Sequence, residues 1–161
     1  LKRYKVTPIS PILILLVQVA IYTLYSLASM VLLYLVAKLF FGYQFHGSIG
    51  TFWGGYLLVI VSMFSIGMMV GGIAPNTKMA GAIASILYFP MLIFSGATLP
   101  YEVMPPVLQK IANILPLTQG IKLLKSASLG LQSDNMIVPL LIMTAIAIVC
   151  ICVSLKFFRW E

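Results

Sequence analysis

Four stretches of this chain are long, apolar and free of charged residues: 11–37, 51–76, 79–99 and 136–155. A helix needs about 20 mostly apolar residues to cross the hydrocarbon of a bilayer. Each stretch meets that length, and the third carries Pro90 in its interior. The chain is 61% apolar and 8% charged, whereas soluble domains average about 45–50% and about 25%. An apolar excess of this size does not fit into one small core, so most of it faces lipid. The expected fold is all-α and integral to the membrane. It is a single transmembrane domain over 1–161, with spanning helices at 11–40, 51–75, 79–96 and 136–157. The sequence starts at Leu1 without a methionine and reads as a piece of a longer protein.

A formal net charge of +7 would suit a nucleic-acid surface if the cations formed one stripe. They lie instead in small groups at the ends of the apolar runs, which fits membrane topology and excludes nucleic acid as the expected partner. Lys2, Arg3 and Lys5 precede the first run, Lys78 lies between the second and third, and Lys156 and Arg159 follow the fourth. Lys38, Lys110, Lys122 and Lys125 fall on the opposite face. Six cations against four, with no lysine or arginine in 41–50, places both ends of the segment in the cytoplasm. The expected location is the cell membrane, multi-pass.

Small residues mark candidate helix contacts. Gly67 and Gly71 form a GxxxG pair in the second run, and Gly81 with Ser85 repeats the spacing in the third. Such pairs let helix backbones approach closely in lipid. Cys150 and Cys152 lie two residues apart on the last run and point to different sides, which suits neither a disulfide nor a metal.

Several chemistries have no carrier in the sequence. There is no GxxxxGK[ST], HExxH or CxxC motif. His46 stands alone in a short outer loop and reads as a solvated side chain. The acids are Glu102, Asp134 and Glu161, none of them inside a span. No enzyme, catalytic residue, metal site or cofactor is expected in this chain.

Between the last two runs lies SGATLPYEVMPPVLQKIANILPLTQG, residues 95–120. Gly96 suits a left-handed helix end, and Pro100 with Pro105 and Pro106 blocks simple continuation. From Val107 the pattern turns helical, with Leu108, Ile111 and Leu115 on one face and Gln109, Lys110 and Asn113 on the other. Leu115-Pro116 breaks the chain. Thr118 is the expected N-cap of a second short helix, with Leu117, Ile121 and Leu124 apolar, Gln119, Lys122, Lys125 and Ser126 polar, and Gly130 as its stop. Neither piece is long enough to span. The segment 97–133 is expected to be a helical hairpin that dips into the outer leaflet or lies at the interface, or an ordinary outer loop.

The stretch from Phe94 to Lys125 resembles the C-terminal signature of ABC-2-type transporter permeases. The resemblance rests on Ser95-Gly96, Pro100, Met104 through Leu108, Leu115 through Thr118, and the basic helix after them. The beginning, LKRYKVTPIS, is similar to that family's basic cytoplasmic segment before its third span. Together these cover essentially the whole chain. The resemblance implies a six-span permease of which this segment holds spans three to six. It implies pairing with a second permease copy or paralogue, contact with membrane lipid, and docking of a separate ABC ATP-binding subunit that carries ATP and magnesium. The segment 1–10 becomes the ATPase-coupling piece, through Lys2, Arg3, Tyr4, Lys5, Thr7 and Pro8. The 97–133 segment becomes a re-entrant hairpin and gate, through Ser95, Gly96, Pro100, Pro105, Leu108, Pro116 and Thr118. The implied function is ATP-driven export of an amphiphilic cargo: a drug, a lipid-linked molecule or a peptide. The chain departs from the family's pattern in lacking the first two spans and the cytoplasmic-end aromatic belt of glycan-handling members. A secondary transporter with a broken-helix site, or a non-transporting scaffold or immunity subunit, are the readings that stand beside it.

Overall fold

A computed structural model describes residues 11–98, 103–130 and 134–157. Among them are six helices: α1 (Pro11–Phe41), α2 (Ile49–Ile73), α3 (Thr77–Phe94), α4 (Pro106–Ala112), α5 (Pro116–Leu129) and α6 (Asp134–Phe157). Four are long and apolar enough to cross a membrane, within α1, α2, α3 and α6, and the fold is all-α. The chain divides into two units, Leu1–Gln44 and Phe45–Glu161.

Among the described residues the first unit holds a single helix. α1 has 31 residues and is therefore about 46 Å long, more than a bilayer's hydrocarbon depth. No described residue on it is buried within the chain, and it is apolar on every side, as lipid-facing helices are. The Thr23 hydroxyl is satisfied within the helix, donating to the Val19 carbonyl at 2.8 Å. Lys38 sits in the last turn, where the helix dipole favours a cation. Gly42 then takes φ 61°, and the Tyr43 N–H turns back to the Ala37 carbonyl at 3.1 Å.

The second unit is built around α2, which packs chiefly on α6 and then on α5. α3 touches α2, α4 and α5 but has no buried residue. The link between α2 and α3 is short because both ends are capped within it. The Ala74 N–H bonds to the Val70 carbonyl, 3.0 Å, and the Asn76 side chain accepts from the Met79 N–H, 2.8 Å. Hydroxyls inside the long helices bond back one turn: Ser65 to Val61 at 2.6 Å, Ser85 to Gly81 at 2.9 Å and Thr144 to Leu140 at 2.8 Å. At membrane depth this spares a hydroxyl an unsatisfied donor.

Ser62 does more. Its hydroxyl is shared between Leu58 of its own helix (2.8 Å) and the Met143 carbonyl of α6 (3.0 Å). Ser62 and Met143 are both 0% exposed, so this contact lies at the centre of the α2–α6 seam.

The small pairs in α2 and α3 make no close approach to another described element of this chain. Gly67, Gly71, Gly81 and Ser85 are all exposed, and a Cβ on Gly67, Gly71 or Gly81 would meet no atom within 4 Å. The Ser85–Gly81 bond runs within α3. The buried residues of α2 are Gly55, Ile60, Ser62, Ser65 and Val70. Cys150 is buried and Cys152 exposed, both as free thiols.

Candidate functional site

The site is built from the end of α3, the α4–α5 hairpin and the groove between α2 and α6. It begins with helix-end chemistry. The last four carbonyls of a helix have no partner within it, and three of α3's are met by hydroxyls from residues beyond its C-terminus. The Leu92 carbonyl accepts from Ser95 (2.8 Å) and Thr98 (3.0 Å), and the Ile93 carbonyl from Thr98 (3.0 Å). The Phe94 carbonyl accepts from Thr118, 24 residues on, at 3.4 Å. Ser95, 3% exposed, also accepts from the Ala97 N–H at 3.2 Å. Gly96 takes φ 86°, a left-handed turn that a residue with a Cβ adopts at a cost.

The two short helices start at prolines, where the missing N–H is no loss. α4 starts at Pro106 behind Pro105, and α5 starts at Pro116 behind Leu115 in extended conformation. Between them, the Ile114 N–H bonds to the Ile111 carbonyl and the Leu115 N–H to the Ala112 carbonyl, both 3.1 Å. This tight turn is tied to α5 by side chains. The Gln119 amide donates to the Asn113 carbonyl, and the Lys122 ammonium to the Asn113 side-chain oxygen. On the far side of α4, the Gln109 amide donates to the Met104 carbonyl at 2.9 Å.

The side of α5 that carries Gly120 and Leu123 lies in the groove. A Cβ on Gly120 would come 3.2 and 3.3 Å from the two Val59 methyls of α2, and 3.6 Å from the Met143 methyl of α6. One on Gly55 would meet the Leu123 side chain at 3.4 Å, and one on Gly47 the Ala127 carbonyl oxygen at 1.7 Å. The pairs 47 with 127, 55 with 123 and 59 with 120 run in opposite senses, so α5 lies antiparallel to α2. Val59 is ten residues into α2, so the first turns of α5 lie about 15 Å along it from its start.

This arrangement corrects two sequence expectations. Thr118 is not the N-cap: the helix starts two residues earlier, because Pro116 is preset for a first helical position. Thr118 is a buried first-turn residue bonded to α3. Of the polar residues of α5, Gln119 (3% exposed) and Ser126 (7%) are buried with Leu123 and Ala127, while Lys122 is half-buried and Lys125 exposed; Gln119 spends its amide on the hairpin turn. On α4, Ile111 is exposed and Ala112 is buried instead, since a helix of seven residues is too short to present a full apolar stripe. Pro105 is exposed and Leu108 and Pro116 half-buried. Pro100 and the coupling residues Lys2, Arg3, Tyr4, Lys5, Thr7 and Pro8 lie outside the described residues. Sequence reasoning does not single out Gly47, Gly55, Val59, Gly120 or Met143. The one signal for them is glycine at 47, 55 and 120, which carries no partner information by itself.

Among the described residues no cluster of three or more His, Cys, Asp or Glu could hold a metal ion. Among the described residues the site consists of packed helix and the hydrogen bonds given above.

The family model described as ABC-2 type transporter matches residues 1–129. Nodulation protein J of Neorhizobium galegae is 38% identical over 66 residues, 41% of this chain and 25% of that protein. The inner membrane transport permease YhhJ of Escherichia coli (strain K12) is 29% identical over 119 residues, 73% of this chain and 32% of its own length. Nodulation protein J of Rhizobium leguminosarum bv. viciae is 32% identical over 93 residues, 51% of this chain and 36% of that protein. The chain thus spans between a quarter and just over a third of the relatives it matches. No solved structure matches it significantly.

Proposed function

The chain belongs to the ABC-2 type transporter family, and from that premise we propose that it is the later, membrane-spanning part of an exporter's permease subunit. In this reading a separate ATPase subunit supplies the energy and carries ATP and magnesium. Two permease chains pair, as copies or paralogues. The cargo is an amphiphile that enters from the cytoplasm or the inner leaflet. The subunit itself does no covalent chemistry, and the membrane it occupies is the cell membrane, with both ends of this segment cytoplasmic.

The observation that carries the reading is the seat of α5 between α2 and α6. A helix too short to span, lying antiparallel to α2 and tied by Thr118 to the end of α3, suits a re-entrant plug. At rest it closes the outer end of a path along these helices. Opening requires α5 to leave the groove, which exposes the Gly55, Val59 and Gly120 surfaces and breaks the Thr118 bond. Energy for that motion enters from the cytoplasmic pieces, first among them 1–10, whose Lys2, Arg3 and Lys5 suit acidic groups on an ATPase.

The test is reconstitution. The full-length permease and its ATPase in vesicles, offered a panel of amphiphilic drugs, lipid-linked molecules and peptides, should move at least one of them only when ATP is hydrolysed. Transport driven by an ion gradient without ATP would replace this reading with a secondary transporter. No transport of any cargo, with ATPase activity indifferent to all of them, would favour a scaffold.

A further inference from the structure

The loop ahead of α2 touches α5 in a way that neither packing nor the gate reading requires. Four successive residues there have separate tasks. Phe45 sets its ring against Phe52, edge-on at 5.4 Å. The His46 and Gly47 N–H groups both donate to the Ser128 carbonyl in the last turn of α5, at 3.3 and 3.1 Å. The Ser48 hydroxyl accepts from the Thr51 N–H and caps α2. At Gly47 and Gly130 the two backbones meet with no side chain between them. A Cβ on Gly47 would overlap the Ala127 carbonyl, 1.7 Å from its oxygen. Gly130, which caps α5 at φ 67°, would carry its Cβ 2.9 Å from the His46 carbonyl oxygen.

From this we infer that residues 45–48 form a backbone clasp that pins the outer end of α5 to the start of α2, with Gly47 and Gly130 as its positioning residues. The clasp fixes where α5 pivots. The deep end of α5 is held to the end of α3 by the side-chain hydrogen bond of Thr118 and to α2 and α6 by apolar contact at Gly120. The outer end is held by two backbone hydrogen bonds to one carbonyl, in a gap that glycine alone fits. When α5 moves, its deep end swings while Ser128 stays with the loop, and whatever displaces the loop displaces the plug. The inference rests on the gate reading for its meaning in transport, but the clasp itself is a physical contact that can be measured without transport.

The experiment is amide hydrogen exchange on the full-length permease with its ATPase in nanodiscs, comparing wild type with Gly47→Ala, Gly130→Ala and Gly54→Ala. Gly54 is the control, since a Cβ there would meet nothing within 4 Å. Each clasp variant should speed exchange by about fivefold or more in both 45–48 and 126–130, although the substitution lies in only one of them. Gly54→Ala should change neither. A Gly47→Ala protein that frees 45–48 while 126–130 keeps wild-type protection overturns the clasp. Should the glycine variants fail to fold, His46→Cys with Ser128→Cys in a background lacking Cys150 and Cys152 replaces them. A short bis-maleimide should link the pair in the nucleotide-free complex, and absence of the link overturns the clasp equally. If exchange in the two segments rises together but reconstituted protein moves no cargo, the clasp stands and the exporter reading fails.

Discussion

Gly120 of α5 stands against Val59 of α2 so closely that a Cβ on it would lie 3.2 and 3.3 Å from the two valine methyls. Alanine fits there if Val59 shifts by a few tenths of an ångström, and it gains about 1 kcal/mol of helix propensity over glycine. Gly120→Ala should therefore be close to neutral in the thermal stability of the purified complex. Leucine has no room, and Gly120→Leu should cost about 1–3 kcal/mol by overpacking. Gly67→Leu, where a Cβ would meet nothing within 4 Å, should cost less than Gly120→Leu. The reverse order would mean that α5 does not occupy the groove.

Thr118→Val keeps the shape and removes the hydroxyl. The carbonyl it leaves, Phe94, ends a helix and has no partner within it, so the loss is that of a part-buried group left unsatisfied, at the lower end of about 1–3 kcal/mol. Ser62→Ala also removes a buried hydrogen bond, but the Met143 carbonyl lies mid-helix and keeps its own helical partner. That change should cost less, near the average of about 0.6 kcal/mol for hydrogen bonds between membrane helices. Denaturation of the two variants side by side checks the order.

Pro116→Ala restores an N–H at the first position of α5 and releases Leu115 from the extended conformation that a following proline favours. The break between α4 and α5 then weakens. Membrane insertion should survive and cargo transport should fall several-fold, measured in the same vesicles. Full transport by this variant would reduce the hairpin to an outer loop.

Arg3→Glu with Lys5→Glu reverses the charge of the segment proposed to meet the ATPase. The double variant should lose co-purification of the ATPase, or leave ATP hydrolysis insensitive to cargo, with its orientation in the membrane intact. Normal binding and transport would make 1–10 a topology anchor only.

The spanning helices are legible in the sequence because lipid leaves little choice: an uncharged apolar run of some twenty residues has to be helical and has to cross. The ends of α5 are legible in part, since Gly130 stops it as expected, but Pro116 overrides Thr118 at its start. Which face of α5 is buried is not legible. Amphipathicity assigns polar residues to the outside, and here Thr118 and Gln119 are inside because each donates to a backbone carbonyl, one of them 24 residues away. Nor can sequence choose between glycines. Gly67 and Gly71 have the spacing that helix pairs use, yet the close approaches are at Gly47, Gly55 and Gly120, whose partners lie on other elements and leave no local pattern.

The central claim, that α5 is a plug which leaves the groove during the transport cycle, is tested most directly by labelling from outside. Single cysteines at Leu123, buried at 2% exposure, and at Lys125, exposed, would be introduced into the full-length permease lacking Cys150 and Cys152, with its ATPase present. A membrane-impermeant maleimide should label position 125 at all times. Position 123 should be protected without nucleotide and become labelled when ATP is trapped on a hydrolysis-deficient ATPase. Equal labelling of 123 with and without ATP, or no labelling of 125 in intact cells, would contradict the account.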